Sequence, residues 1–189
     1  MNDHDLRRES VERAYREHVD DVYRIALAIL HDPDAAVDAT HDTFARAFER
    51  WEQYDANRPL RAWLHGIVSH AALDQVRRKT VRTLAMPGMG RMLEAGGTGS
   101  RDLADPATNV VDRELVAGAL HGLKPDARAA LVLRHYYGYD YSEIAGFLRT
   151  TPGNVGSILS RTHAVLRERL LTADRDTQPD GAAARRAAR

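Results

Sequence analysis

Residues 125–171 read PDARAALVLRHYYGYDYSEIAGFLRTTPGNVGSILSRTHAVLRERLL. Pro125 is suited to the first turn of a helix, which carries Ala129, Leu131, Val132 and Leu133 before Gly138 stops it. Asp140, followed three residues later by Glu143, forms a capping box that opens a short helix. Thr151-Pro152 is a cap and first turn for a long final helix. Helix, turn, short helix, turn and long helix is the layout of a helix-turn-helix that places its second helix in the DNA major groove. Ala145 marks a close crossing of the two helices. Ile144, Leu148, Val155 and Leu159, with Val165 or Leu166 further along, are the expected core. Asn154, Gly156, Ser157, Ile158, Ser160 and Arg161 are then left for the outer face, where such side chains meet base edges and phosphates. Arg149, Arg161 and Arg167 are the expected phosphate contacts.

Working outward, a second helical block precedes this one. Val11, Tyr15, Val19, Val22, Ala26 and Ile29 recur at three- and four-residue steps, which predicts a helix over 10–30. Asp32 is its successor's N-cap, with Pro33 at the first position. That helix runs to about residue 51, with Val37, Phe44, Ala47, Phe48 and Trp51 inward. Residues 53–58 read as a loop. A third helix follows from Pro59 to about residue 82 and buries Leu60, Trp63, Leu64, Ile67, Ala71 and Val76. Three such helices close a small bundle with both tryptophans in or near its core. Residues 83–108 lose all periodicity and are rich in Gly, and are therefore expected to be a linker with one short turn at 91–95. Val111, Leu115, Val116, Ala119 and Leu120 predict a helix stopped by Gly122. Residues 172–189, polar and then Ala/Arg-rich, are expected to be a disordered tail. The organisation is all-α: domain 1–82, linker 83–108, domain 109–171 and tail 172–189. No strand pattern competes.

Composition narrows the function classes. The 189 residues hold no cysteine, which excludes disulfides, thiolate metal sites and a cysteine nucleophile. No apolar run reaches membrane-span length and no secretory signal opens the chain, so the expected compartment is the cytoplasm, without direct membrane insertion. Formal net charge is +0, but residues 1–80 carry 15 Asp/Glu against 12 Lys/Arg, and residues 110–189 carry 9 against 12. Such polarity fits two halves with different partners. Nine histidines invite a metal search, yet His65 and His70 are five apart, His18, His31 and His41 are scattered, and no Gly-rich phosphate loop is present. No catalytic residue, metal, cofactor or small-molecule substrate is assigned.

Taken together, the two halves resemble an RNA polymerase sigma factor of the extracytoplasmic-function (ECF) group of the sigma-70 family, over about residues 10–171. DATHDTFARAFERW resembles the family's acidic segment and the helical run after it. PLRAWLHGIVSHAALDQVRRK resembles its third-helix pattern, matched at Arg61, Ala62, Trp63, Leu64, Ile67, Asp74, Arg77 and Arg78. LVLRHYYGYDYSEIAGFL and the next helix resemble its domain four. The resemblance implies a transcription initiation factor and not an enzyme. Its partners would be core RNA polymerase (β′ clamp helices and β flap), promoter DNA and an anti-sigma factor. It assigns Asp38, His41 and Asp42 to the clamp contact, and Arg58, Arg61, Trp63, His70, Arg77 and Arg78 to the minus-ten element. Lys79 and the loop 53–58 join the latter, where stacking and backbone cations suit an extruded base. Arg149, Asn154, Ser157, Ile158 and Arg161 fall to the minus-thirty-five duplex.

The sequence also departs from the family pattern. His41 replaces a Gln, Val37 an acidic residue, and Ser69-His70 an Arg-Asn pair. Gly156 and Ile158 stand at two basic positions, and Arg149 replaces the turn glycine. Losing two cations weakens phosphate attraction, which predicts an unusual minus-thirty-five sequence or weak reliance on it. Two rival functions share the same features: a sigma-like decoy that binds an anti-sigma factor or polymerase without initiating, and a helix-turn-helix regulator with a helical sensor domain. Transcription with core polymerase separates the first rival. A dimer stripe after the reading helix would mark the second, and none is visible.

Overall fold

The computed structural model describes residues 3–85, 120 and 122–177. Among these every regular element is helical. The first half holds α1 (Asp3–Leu30), α2 (Pro33–Glu49), a 3-10 turn (Trp51–Gln53) and α3 (Leu60–Ala85). The second holds α4 (Pro125–Leu131), a π turn (Val132–Tyr136), α5 (Tyr141–Leu148) and α6 (Pro152–Thr177). The expected linker beyond residue 85, the short turn at 91–95 and the helix from Val111 to Ala119 lie outside the described residues.

Helix ends follow the capping chemistry read from sequence. The Asp32 carboxylate accepts the Ala35 N–H at 3.1 Å. Asp140 Oδ1 accepts from Ser142 N and Glu143 N, while Glu143 Oε2 accepts from Asp140 N at 2.8 Å, so the capping box is complete. Thr151 Oγ1 accepts from Asn154 N at 3.2 Å.

Three expectations need correction. First, α1 starts at Asp3 rather than near Ser10. The Ser10 hydroxyl donates back to the Leu6 carbonyl instead of capping, and Arg8 pairs with Glu12 one turn on. Second, α6 runs through Thr177, so 172–177 is helix and not disordered tail. Thr172 Oγ1 bonds back to Glu168 and Arg169, and Pro179 is the first breaker. Third, Val37 faces solvent, because the stripe through Ala36, Ala39, Thr40, Thr43 and Phe44 is the one that packs. Of the two inner positions expected further along α6, Leu166 is the one that packs and Val165 is exposed.

The buried cluster runs through both halves without a break. Val22, Ile25 and Ile29 of α1, Leu64 and Val68 of α3, Leu133, Ile144, Val155 and Leu159 all belong to it. Trp51 and Trp63 are half-buried against its edge. The π turn after α4 was not visible in the sequence. Tyr137 N bonds to the Val132 carbonyl, five residues back, and Tyr139 N to Leu133. The widened turn keeps Leu133 in the core and swings Tyr137 toward α1.

Candidate nucleic-acid and polymerase interface

α2 places Asp38, His41 and Asp42 on one exposed face. They line an open groove of about 880 Å³ with Gln75, Arg77, Arg78, Val81 and Arg82 of α3. Residues assigned separately to polymerase and to DNA thus form opposite walls of one groove. Asp38, Asp42 and Arg78 form no ion pair among the described residues, which leaves their charge for a partner. Arg77 is held by Asp74 at 3.0 Å.

The loop before α3 is ordered by its own side chains. Asp55 Oδ1 accepts from Asn57 N and Asn57 Nδ2, and those bonds hold its carboxyl below the usual carboxylate range. Tyr54 Oη donates to the Arg58 carbonyl at 2.7 Å. Beneath the loop, Trp51, Tyr54 and Trp63 form an aromatic cluster, with Tyr54 and Trp63 ring centres 5.2 Å apart. Asp55, Ala56, Asn57 and Arg58 remain exposed above it. Trp63 packs on the core and also floors an exposed loop.

In the second half, Asn154, Ser157, Ser160 and Arg161 of α6 are exposed and line a shallow hollow of about 650 Å³. Asn154 Nδ2 donates to Thr150 Oγ1, and Arg161 Nε to the Ser157 carbonyl, which fixes how both side chains are presented. Gly156 also lines this hollow, whereas Ile158 turns inward. A Cβ at Gly156 would stand 3.4 Å from the Tyr141 ring, and Ile158 packs against the core. Gly156 thus lies beside Tyr141, over which Arg134 lies. Arg149 ends α5 with φ 52°, a left-handed conformation that favours glycine.

Several assigned residues come together along a seam between the halves, a grouping with no clear signal in the sequence. Arg61 pairs with Asp21 at 3.1 Å and lies over the Tyr137 ring. His70 Nε2 donates to the Gly146 carbonyl at 3.2 Å, and burial lowers its pKa. The Arg149 guanidinium approaches Asp74 at 3.8 Å. Tyr137 Oη bonds to the Asp21 carbonyl, and burial first, then Asp21, raises its pKa. His65 is fully buried and hydrogen-bonded through Nδ1 to Tyr139 Oη at 3.0 Å. Burial, reinforced by the Arg61 charge, lowers its pKa to about 4. Arg128 donates to the carbonyls of Ala28, Ile29 and Leu123. The first two belong to the end of α1, whose terminal carbonyls lack helical partners. The available signals were weak: three tyrosines within four residues, and a histidine next to Leu64 on an inward stripe.

This fold and these surfaces define a two-part helical DNA reader. The comparisons give its family. The family model for Sigma-70 region 2 matches residues 14–82, and that for Sigma-70, region 4 matches residues 113–162. The chain is 30% identical over 159 residues to the ECF RNA polymerase sigma factor SigL of Mycobacterium tuberculosis, across 84% of this chain and 85% of that one. It is 32% identical over 156 residues to the ECF RNA polymerase sigma factor SigE of Mycolicibacterium smegmatis, across 82% of this chain but only 59% of that relative. The sigma factor RpoE of Bartonella quintana, solved with the anti-sigma factor NepR, superposes with TM-score 0.69 at 21% identity, covering 86% of this chain and 97% of that one. The chain belongs to the ECF group of the sigma-70 family.

Proposed function

We propose that this chain is a transcription initiation factor that binds core RNA polymerase and directs it to promoters. The observation that carries the reading is the pairing, in family order, of two distinct surfaces. One is an exposed helix-turn-helix face. The other is a preorganised loop over an aromatic floor beside a charged groove. Residues 1–82 then bind polymerase through Asp38, His41 and Asp42. They hold the minus-ten element with Arg58, Trp63, Arg77 and Arg78 and, once released from the seam, Arg61 and His70. Residues 109–171 read the minus-thirty-five duplex through Asn154, Ser157 and Arg161. RNA synthesis chemistry belongs to the polymerase. The chain acts in the cytoplasm, and an anti-sigma factor is its expected regulator, as RpoE was solved with one. Among the described residues no helix is long and apolar enough to cross a membrane.

Run-off transcription with core polymerase and a fragment library of source-organism DNA tests this. Discrete transcripts starting a fixed distance after shared sequence elements are expected. Stable core binding without any transcript, with control factors active, would overturn initiation in favour of a decoy.

A further inference from the structure

We infer that His135 and His163 together bind a divalent late-transition cation, of the Ni2+ or Zn2+ kind, which pins the reading helix α6 to the turn ahead of α5. The inference concerns neither polymerase nor promoter, and it stands whether or not the chain initiates transcription.

The two rings meet at the surface. Nε2 of His135, in the π turn, lies 2.9 Å from Nε2 of His163 on α6, with ring centres 5.1 Å apart. Both residues are exposed, and among the described residues neither ring has another hydrogen-bond partner. The rings stand nearly end to end, so one Nε2–H donates to the lone pair of the other. Ligands about 2.1 Å from a cation stand about 3.0 Å apart at a right angle and about 3.4 Å apart at the tetrahedral angle. The observed separation therefore already matches two adjacent ligands of an octahedral or square centre. Only the direction of the lone pairs has to change. A swing of each ring by roughly 20–30° aims both at one point, a small movement for the broad χ2 of an exposed histidine. Moving the donor ring's proton to Nδ1 frees its Nε2.

Local chemistry selects the class of ion. Burial first, then the charges of His163 and Arg134, holds the His135 pKa below the usual imidazole value. The ring is then neutral and offers its lone pair at neutral pH. The Arg134 guanidinium repels any cation, and two imidazoles bring no negative charge. Attraction must come from bonding to imidazole nitrogen, which suits Zn2+, Ni2+ and Cu2+ and not Mg2+ or Ca2+. Among the described residues no group of three or more His, Cys, Asp or Glu is placed to hold a metal. Two protein ligands, with water filling the other positions, make an exchangeable site rather than a closed structural one. The ligands are 28 residues apart in the chain, and the segment between them holds all of α5 and the turn into α6. A bond across its ends closes that loop and restricts the unfolded chain, so binding braces the whole helix-turn-helix.

The full chain, prepared without a histidine tag, is titrated with Ni2+ by calorimetry and melted with and without it. Its tightest site should weaken at least about tenfold in His135→Gln and in His163→Gln, and no further in the double variant, because a chelate needs both rings. Saturating Ni2+ should raise the wild-type melting temperature by about 3 °C or more. Both single variants, which lose only an exposed side chain, should keep wild-type helicity and show no such rise. X-ray absorption of the Ni2+ complex should find two imidazole nitrogens among oxygen ligands. Equal Ni2+ affinity in wild type and variants would overturn the inference, as would fewer than two imidazoles around the ion. An equal rise in melting temperature with Mg2+ would overturn it too, since imidazole nitrogen does not select that cation.

Discussion

Lowering the pH from 7.5 to 5 should destabilise this fold by roughly 2 kcal/mol through His65 alone. His65 has no exposed surface, and its pKa falls from 6.5 to about 4 because burial and the Arg61 charge disfavour the imidazolium. Asp21 opposes them, His18 adds repulsion, and the Tyr137 and Tyr139 rings pack against it. Because the folded pKa lies below the unfolded one, the unfolded chain takes up the proton first as pH falls. The stabilisation is complete above about 6.5 and is lost progressively toward 4. Linkage gives roughly 2 kcal/mol by pH 5 and about 3 kcal/mol below pH 4. Urea unfolding followed by Trp51 and Trp63 fluorescence at both pH values measures the loss. His65→Leu, which cannot titrate, should shrink the pH dependence by that amount while leaving the other histidines in place. Identical pH dependence in wild type and His65→Leu would refute the assignment of a buried neutral imidazole at the seam.

Other outcomes follow from single contacts. Arg149→Gly relieves a left-handed backbone at φ 52° and should stabilise the fold by about 1 kcal/mol in thermal unfolding, since the exposed approach to Asp74 adds little. Asp140→Ala removes the capping box of α5 and should cost about 1 kcal/mol in the same assay. Arg161→Ala should weaken minus-thirty-five duplex binding and reduce the slope of log affinity against log salt by about one, read by binding titrations at several salt concentrations. Asp38→Arg with Asp42→Arg should abolish co-purification with core polymerase at an unchanged melting temperature, because both side chains are exposed.

Each element whose cause is local was legible in the order of residues. The capping box at Asp140, the Asp32 and Thr151 caps and the periodic stripes in α1 and α3 depend on neighbours within a few residues, and they stand where those residues placed them. The all-α class and the helix-turn-helix followed from the same signals. Helix ends that rested on composition rather than capping drifted: Ser10 bonds back into α1 instead of starting it, and polar 172–177 continues α6.

Tertiary structure alone decided what faces what. Ile158 and Gly156 were expected on the reading face by helical spacing; Gly156 lines it, but Ile158 packs against the core. Arg61, His70 and Arg149 carried DNA roles by position, yet each is engaged across a seam that joins residues some 40 to 100 positions apart. Arg128 reaches the end of α1 over 99 and 100 residues of chain. No period or spacing encodes such pairings. They depend on how two separately legible helical units bury their remaining polar faces against each other, a choice made by packing and desolvation across the whole molecule rather than by any local run of residues.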